Sequence, residues 1–471
     1  MKKLIRYTFL LVTGATLFAG CKKYLNINTD PNNPLSVPEN ITIPPVEVTL
    51  ATNVVGGFVG TTTNYWMQVI SLNQNLPTVE NYFIRPEDVD NTWTFFIYPN
   101  IQQNLKTMIQ QAELAKHNQY VAVGFALQAY TLAITTDLWG DIPWSQAFKV
   151  PAITKPTYDA QATIYGDVQN LFDSALAYAS AAPSQIAPAG DDYIYGGVMT
   201  SWIKWIHMMK ARYYLRLSNA PGRTAATQAD SALTEVALGF ASNSDNATVP
   251  YPTQDGSPWF ENTSPGAGGV VLSNTFINFL QANNDPRLPV LADTATLGPN
   301  VGTYVGRPAG SATVFGSYFD FSLASNVYCG LNSPLYLGTY SEQLFIQAEA
   351  TYITQGAASA DPIYRAAIKA HMDMVGVPDT AETRYLSTAS RPTLTAGTAL
   401  QSIIYEKYIA GFLGIEPYND WRRTGYPVLT PVSTGVVSYI PQRWPYAQTE
   451  ELANPQPQDS ATLQAKVWWA Q

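Results

Sequence analysis

The stretch "TTDLWGDIPW" (135–144) sets two carboxylates, Asp137 and Asp141, beside two tryptophans, Trp139 and Trp144. Carboxyl groups held about 5–9.5 Å apart can do acid–base work on a glycosidic bond. The same residues also read as structure: Asp137 ends a helix, Asp141 follows the Gly140 turn, and the tryptophans pack the corner. The structural reading is preferred, with a surface glycosidase as the competing one. Other sources of catalysis are scarce. The sequence holds no HExxH, GxSxG, Walker loop, CxxC or dinucleotide fingerprint. His117, His207 and His371 fall on three different expected helices without ligand spacing, so they read as helix-surface or packing residues. Asp191 and Asp192 offer oxygens of the kind a hard cation such as calcium takes, but no EF-hand spacing surrounds them. No cofactor or metal is therefore expected. Arg422 and Arg423 in "WRRTG" are expected to hold backbone carbonyls or buried acids.

The chemistry that remains is binding. A sugar ring presents an apolar CH face and a belt of hydroxyls; flat aromatic side chains suit the face, and amides or carboxylates suit the belt. Three stretches outside the clear helices carry that mixture: "NYWMQVISLNQN" (64–75), "ENYFIRPEDVDNTWTFF" (80–96) and "SPWFEN" (257–262). The expected ligand contacts are Tyr65, Trp66, Asn73, Tyr82, Trp93, Trp259 and Phe260. Composition points the same way. Charged residues make up 13% of the chain, against about 25% in typical domains, so the surface is largely neutral and hydrogen-bonding. The net charge of −9 argues against nucleic acid and against electrostatic docking on anionic lipid.

The N-terminus explains one of the two cysteines. Lys2, Lys3 and Arg6 precede an apolar run over 8–19, too short for a bilayer span of roughly 20 residues. Leu17-Phe18-Ala19-Gly20-Cys21 resembles a bacterial lipobox, which predicts a signal over 1–20 and acylation of Cys21. Removing 1–20 leaves the mature chain still more acidic. Cys329 then has no partner, so no disulfide framework is expected and it reads as a small buried apolar residue.

Residues 21–45, rich in Pro, Asn and Thr, read as an extended tether. Helices are expected over 99–117, 120–140, 157–182, 198–219, 340–356, 361–378 and from 399 to 414. The 120–140 helix is apolar nearly all round and should be buried. In the first, Ile101, Leu105, Ile109 and Ala112 form one stripe; in 157–182 the inward set is Ile164, Val168, Leu171 and Leu176. Asp361 and Pro362 suit an N-cap and first helical position. Helix pairs at 35–40 residues suggest tetratricopeptide-like stacking. Between the helical blocks, 241–338 is rich in Gly, Pro, Ser, Thr, Asn and aromatics and reads as a functional loop region.

"YLNINTDPNNP" after the lipobox, "TTDLWGDIPW", "LFIQAEA", "GIEPYNDWRRTGYP" and the terminal "KVWWA" together resemble the SusD/RagB family, across essentially the whole mature chain. The resemblance is to its starch-binding, outer-membrane-associated subgroup. It implies a mainly α fold: one SusD-like domain over 46–471, with a tetratricopeptide-like scaffold over 46–240 and 339–425 and an irregular insert over 241–338. It implies a non-catalytic lipoprotein of the Bacteroidetes outer membrane, facing the cell surface. Such a protein would capture oligosaccharide, or alternatively peptide, and deliver it to a SusC-like TonB-dependent barrel. A lid whose essential contact is the barrel is a further alternative. Lys22 and Lys23 stand where many surface-exported relatives carry acids. The family's ligand contacts lie in divergent loops, so no site residue carries over.

Overall fold

A computed structural model describes residues 37–263, 269–456 and 462–471. Cys21, the expected signal and most of the expected tether lie outside the described residues. The chain divides into two units, Met1–Glu39 and Asn40–Gln471, and the second carries the elements that follow.

Helix α1 (Glu39–Val48) replaces the last part of the expected extended tether. Pro44 and Pro45 remove two backbone donors, yet Thr42, Ile43, Val46 and Glu47 recur at helical spacing and are buried. Packing of that face outweighs the local propensity. Helix α2 (Val59–Trp66) follows, and a helical segment, Asn91–Gln103, leads into α3 (Asn104–Ala115). The predicted stripe is in place: Ile101, Leu105, Ile109 and Ala112 are all buried.

Helix α4 (Asn118–Trp139) is the centre of the scaffold. Every residue from Gln119 to Trp139 except Phe125 is buried. By length and composition alone it would pass for a membrane span, but the protein itself covers it. It stops at Gly140, whose φ of 78° is one that a residue with a side chain rarely adopts. Helix α5 (Gln161–Ala179) starts later than expected. Residues 158–159 instead form a strand, β3, antiparallel to β2 (Ile142–Pro143). The buried face of α5 includes Ile164, Val168, Phe172 and Ala175. Leu171 and Leu176, expected inside, are only half-buried, because the neighbouring residues Phe172 and Ala175 continue the 164–168 stripe.

The stack continues through α6 (Met199–Arg216) and α7 (Ala225–Val236). The latter was not singled out in the sequence; the Thr224 hydroxyl caps it by accepting from Thr227 N–H at 3.3 Å. Successive helices from α3 to α7 pack on one another. The chain then leaves the scaffold and returns as α9 (Tyr340–Gln355), which packs directly on α7 and on α10 (Ala357–Val375). Helices α11 (Ala399–Ala410) and α12 (Glu416–Thr424) complete it. The fold is thus mainly α and layered in helix pairs, as predicted. Helix α10 begins at Ala357, before Asp361, because Ala357–Ala360 are good helix formers. Asp361 accepts instead from Arg365 Nε at 2.8 Å and Leu394 N–H at 2.9 Å.

The 241–338 excursion is less irregular than its composition suggests. It contains α8 (Asn274–Ala282), capped by Ser273 and burying Phe276, Ile277 and Leu280. Strand β4 (Ala247–Val249) pairs with β6 (Leu335–Gly338), and β1 (Ile70–Leu72) pairs with β5 (Val270–Leu272). Two buried ionic clusters fix it further. Arg307 Nη1 reaches Glu80 Oε2 at 3.3 Å and Ser71 Oγ at 2.7 Å. Arg287, fully buried, donates Nε to Asp285 Oδ1 at 2.9 Å and Nη2 to Asp285 Oδ2 at 2.6 Å, and also bonds Glu406 of α11. The Tyr385 hydroxyl lies 2.8 Å from a carboxylate oxygen of each acid and has one proton to share between them. His371 of α10 closes the cluster, with Nδ1 3.4 Å from Arg287 Nη1 and Nε2 3.3 Å from the Tyr328 hydroxyl.

Candidate functional site

The Asn91–Gln103 segment, the loop 143–156 and the short helix Gln448–Ala453 enclose an open cleft of about 440 Å³. Its floor is aromatic. Trp93 is held edge-on by Trp139 at 5.0 Å and Tyr446 at 6.0 Å, and lies 4.9 Å from Tyr98. The Tyr98 hydroxyl donates to Pro143 O at 2.8 Å, so that ring cannot rotate away. Burial pushes its hydroxyl well above the usual tyrosine range. Phe148 stands 5.9 Å from Tyr98, with Lys106 Nζ 5.4 Å from its centroid. Phe148 has φ 60°, a left-handed conformation that costs a residue with a side chain roughly 1–2 kcal/mol. The surrounding fold holds the ring against that cost, as is typical of ligand clamps.

The walls are Pro99, Pro143, Val150, Ile153 and Pro156, and the rim is amide and hydroxyl. Thr94 and Thr449 share a hydrogen bond of 2.6 Å, and Asp90 Oδ1 accepts from Thr449 N–H at 3.0 Å. Gln146 Oε1 accepts from Thr157 N–H at 3.2 Å. Glu450 is the one carboxyl among the lining residues, and its Oε1 accepts from Tyr158 at 3.1 Å and Asn454 at 2.8 Å. A flat aromatic floor under a neutral polar rim can stack on a ring and hydrogen-bond its edge.

Of the seven expected contacts, only Trp93 lines this cleft. Tyr65, Trp66, Tyr82 and Trp259 are in the hydrophobic core, and so is Trp93, 3% exposed beneath the cleft, a correction to their expected exposure. Trp66 packs on Tyr418 and Trp444 and donates Nε1 to Val79 O at 2.9 Å. The Tyr82 hydroxyl accepts from Val432 N–H at 2.9 Å. Asn73 is half-buried and brackets the Phe315 backbone, accepting from N–H at 2.9 Å and donating to O at 3.1 Å. Phe260 is half-buried, its N–H donating to Ser257 Oγ at 3.2 Å. Tyr65 and Trp66 fall in α2 and Trp259 in the short helix Pro258–Thr263, so their rings pack inward with those helices. Tyr98, Phe148, Gln103 and Gln146 were missed. The only signal for the loop's part in a site is a lone phenylalanine in the proline-containing stretch "AFKVPAITKP" (147–156).

The acidic corner is structural. Asp137 Oδ1 accepts from Tyr165 and from Trp469 Nε1 at 2.8 Å, and Oδ2 accepts from Arg216 Nη1 at 2.8 Å. Burial raises its pKa, against the pull of Arg216. Asp141 is exposed and accepts from Gln161 N–H at 2.8 Å, at the start of α5. Arg422 Nη1 donates to Asp137 O at 2.6 Å and Gln442 O at 3.0 Å. Arg423 pairs with Glu349, at 2.8 Å through Nη2, and with Asp420. These are the core roles expected of both arginines. His207 Nδ1 lies 2.6 Å from Glu235 Oε2, and His117 immediately precedes α4. Cys329 is buried and unpaired, and burial pushes its thiol up to about 12. Among the described residues no group of three His, Cys, Asp or Glu side chains is placed to hold a metal.

The sequence pattern of the SusD-like group, described as starch-binding and associating with the outer membrane, matches residues 31–447. Solved structures share the fold. A chitin-binding protein superposes with a TM-score of 0.78 at 23% identity, over 92% of this chain and 99% of its own. A SusD/RagB family protein from Bacteroides thetaiotaomicron gives 0.76 at 22% identity, over 92% and 99%. A chitin-binding SusD homologue from Flavobacterium johnsoniae gives 0.74 at 21% identity, over 92% and 97%. No curated protein matches the chain.

Proposed function

Because the chain belongs to the SusD-like family of starch-binding, outer-membrane-associated proteins, we propose that it captures an oligosaccharide at the cell surface in the Trp93–Tyr98–Phe148 cleft. It is held there by acyl chains on Cys21 and delivers its ligand to a SusC-like TonB-dependent barrel. The observation that carries the reading is the cleft itself, a clamped aromatic floor beneath amides and hydroxyls. The two chitin-binding neighbours make N-acetylglucosamine oligomers the first ligands to try. The Asp137 arrangement supports a binding rather than a hydrolytic role, since its oxygens are occupied by core donors.

Titration calorimetry against a panel of oligosaccharides tests the capture step. Phe148→Ala should weaken binding by at least about tenfold, near 1.4 kcal/mol, with the melting temperature little changed, because the ring is only half-buried. Equal affinities for the variant and the wild type would remove the cleft from the mechanism. Peptide is the second reading, favoured by the aromatic floor of Trp93, Tyr98 and Phe148, since extended proline-rich segments dock on aromatic grooves. Proline-rich peptides therefore belong in the same panel. Glycans incubated with the pure protein should yield no new reducing ends. Mass spectrometry of the membrane-extracted protein should find an acylated cysteine, and the barrel should co-purify from solubilised membranes.

A further inference from the structure

We propose that a second oligosaccharide subsite lies beside the first cleft, across Tyr158, so that one long chain occupies both. The inference rests on the first cleft being a glycan site and extends it. The second pocket has a volume of about 450 Å³, nearly equal to that of the first. Three stretches of chain build it: Asp141 and Tyr158 of the β2–β3 ribbon and its approach, Arg443 with Tyr446, and Lys466 with Trp468.

The two pockets share a wall and border the same face of that ribbon. Pro143 of β2 lines the first, and Tyr158 of β3 lines the second. These residues are paired directly across the ribbon, so their side chains project from one face. The Tyr158 hydroxyl donates to Glu450 Oε1, a group of the first pocket, at 3.1 Å. Tyr446 of the second pocket meets Tyr158 edge-on at 5.2 Å and Trp93 of the first at 6.0 Å. The partition between the pockets is thus a pair of tyrosine rings.

The chemistry of the second pocket suits a polyhydroxylated chain. Trp468 is half-buried, with Tyr165 at 6.3 Å, and keeps part of its indole open. Asp141 is exposed; its Oδ1 accepts from Gln161 N–H at 2.8 Å, and among the described residues its Oδ2 has no donor. Lys466 is exposed and makes no ion pair among the described residues. Arg443 is committed to the Trp139 carbonyl and lies over the Tyr446 ring at 5.2 Å, so it braces the pocket. One open acid and one open base select neither an anion nor a cation. Sugar hydroxyls satisfy both, donating to the carboxylate and accepting from the ammonium, while the indole takes the apolar ring face. Two subsites joined by one chain bind it more tightly than either alone, because filling the first raises the local concentration at the second.

Titration calorimetry with N-acetylglucosamine oligomers and starch-derived glucose oligomers, from dimer to octamer, tests this. In a series that binds, affinity should step up by at least about tenfold once the chain reaches the second pocket. Trp468→Ala should remove the step and spare the shortest oligomer that binds, whereas Phe148→Ala should weaken every length. Should Trp468→Ala fail to fold, Lys466→Ala, at an exposed side chain, must reduce the step in its place. Affinity independent of length, or a Trp468→Ala loss equal at all lengths, would overturn the second subsite and leave the first cleft standing. Silence of every oligomer would overturn both.

Discussion

Arg287→Met should lower stability by about 3–5 kcal/mol, the usual cost of orphaning buried charge. Arg287 is fully buried and is the cation shared by Asp285 and Glu406, with exposures of 0% and 2% at the side chains. Arg391 also reaches Glu406, at 2.5 Å, but Asp285 would be left with the Tyr385 hydroxyl and the Arg287 backbone N–H. The loss should be read from denaturant midpoints at pH 7. The expected cause is orphaned charge rather than lost packing, because methionine fills much of the same volume. A double variant, Arg287→Met with Asp285→Asn, should therefore recover part of the loss. Wild-type stability in the single variant would show that the cluster contributes nothing; an additive double variant would assign the loss to packing.

The second large effect concerns acid. Burial, reinforced by the Arg287 charge, depresses the His371 pKa to about 3, with Asp285 pulling weakly the other way. The groups facing it are Arg287, Asp285 and the Tyr328 hydroxyl, with Tyr385 and Glu406 behind them. The unfolded chain takes up this proton near pH 6.5, whereas the fold does not until about pH 3. The contribution is complete above pH 6.5 and is lost progressively as pH falls towards 3. At its limit it is on the order of 5 kcal/mol. Carboxylates titrate in the same window, so the measurement is a difference. Stability plotted from pH 7 to 4 should fall more steeply for wild type than for His371→Gln. Identical slopes would mean that His371 protonates in place. In Arg287→Met the His371 pKa should rise, because one of its two depressing influences is gone.

Much of the scaffold was readable because its information is periodic. A 22-residue segment that is apolar nearly all round and stops at Gly140 has one good solution, a central helix with layers on both sides. Where the sequence misled, a non-local contact decided. Pro44 and Pro45 argue against a helix locally, but the buried Val46 and Glu47 keep α1 in place. Leu171 looks more like a core residue than Ala175, yet the small side chain is the one that fits between packed helices. The site was the least legible part. Trp66 and Trp93 have the same chemistry and similar polar neighbourhoods in sequence. Both are buried, but one is enclosed by Tyr418 and Trp444 and the other lies directly beneath a cleft, a distinction created by residues some 350 positions away. Phe148 carries no sequence signature beyond its place in a loop.

The antiparallel pairing of β4 with β6 sets two points of the chain side by side at the mouth of the long excursion, next to where α6 meets α9. Everything between residues 250 and 334 is thus a closed loop on a fixed base. Closing such a loop grows costlier only with the logarithm of its length, by about 0.6 kcal/mol for each doubling. Length can therefore change cheaply only in those parts of the excursion that make no tie to the scaffold, because β5 pairs with β1, Arg307 holds Glu80 and Arg287 holds Glu406. Diversification of this face is channelled into the stretches between those three anchors.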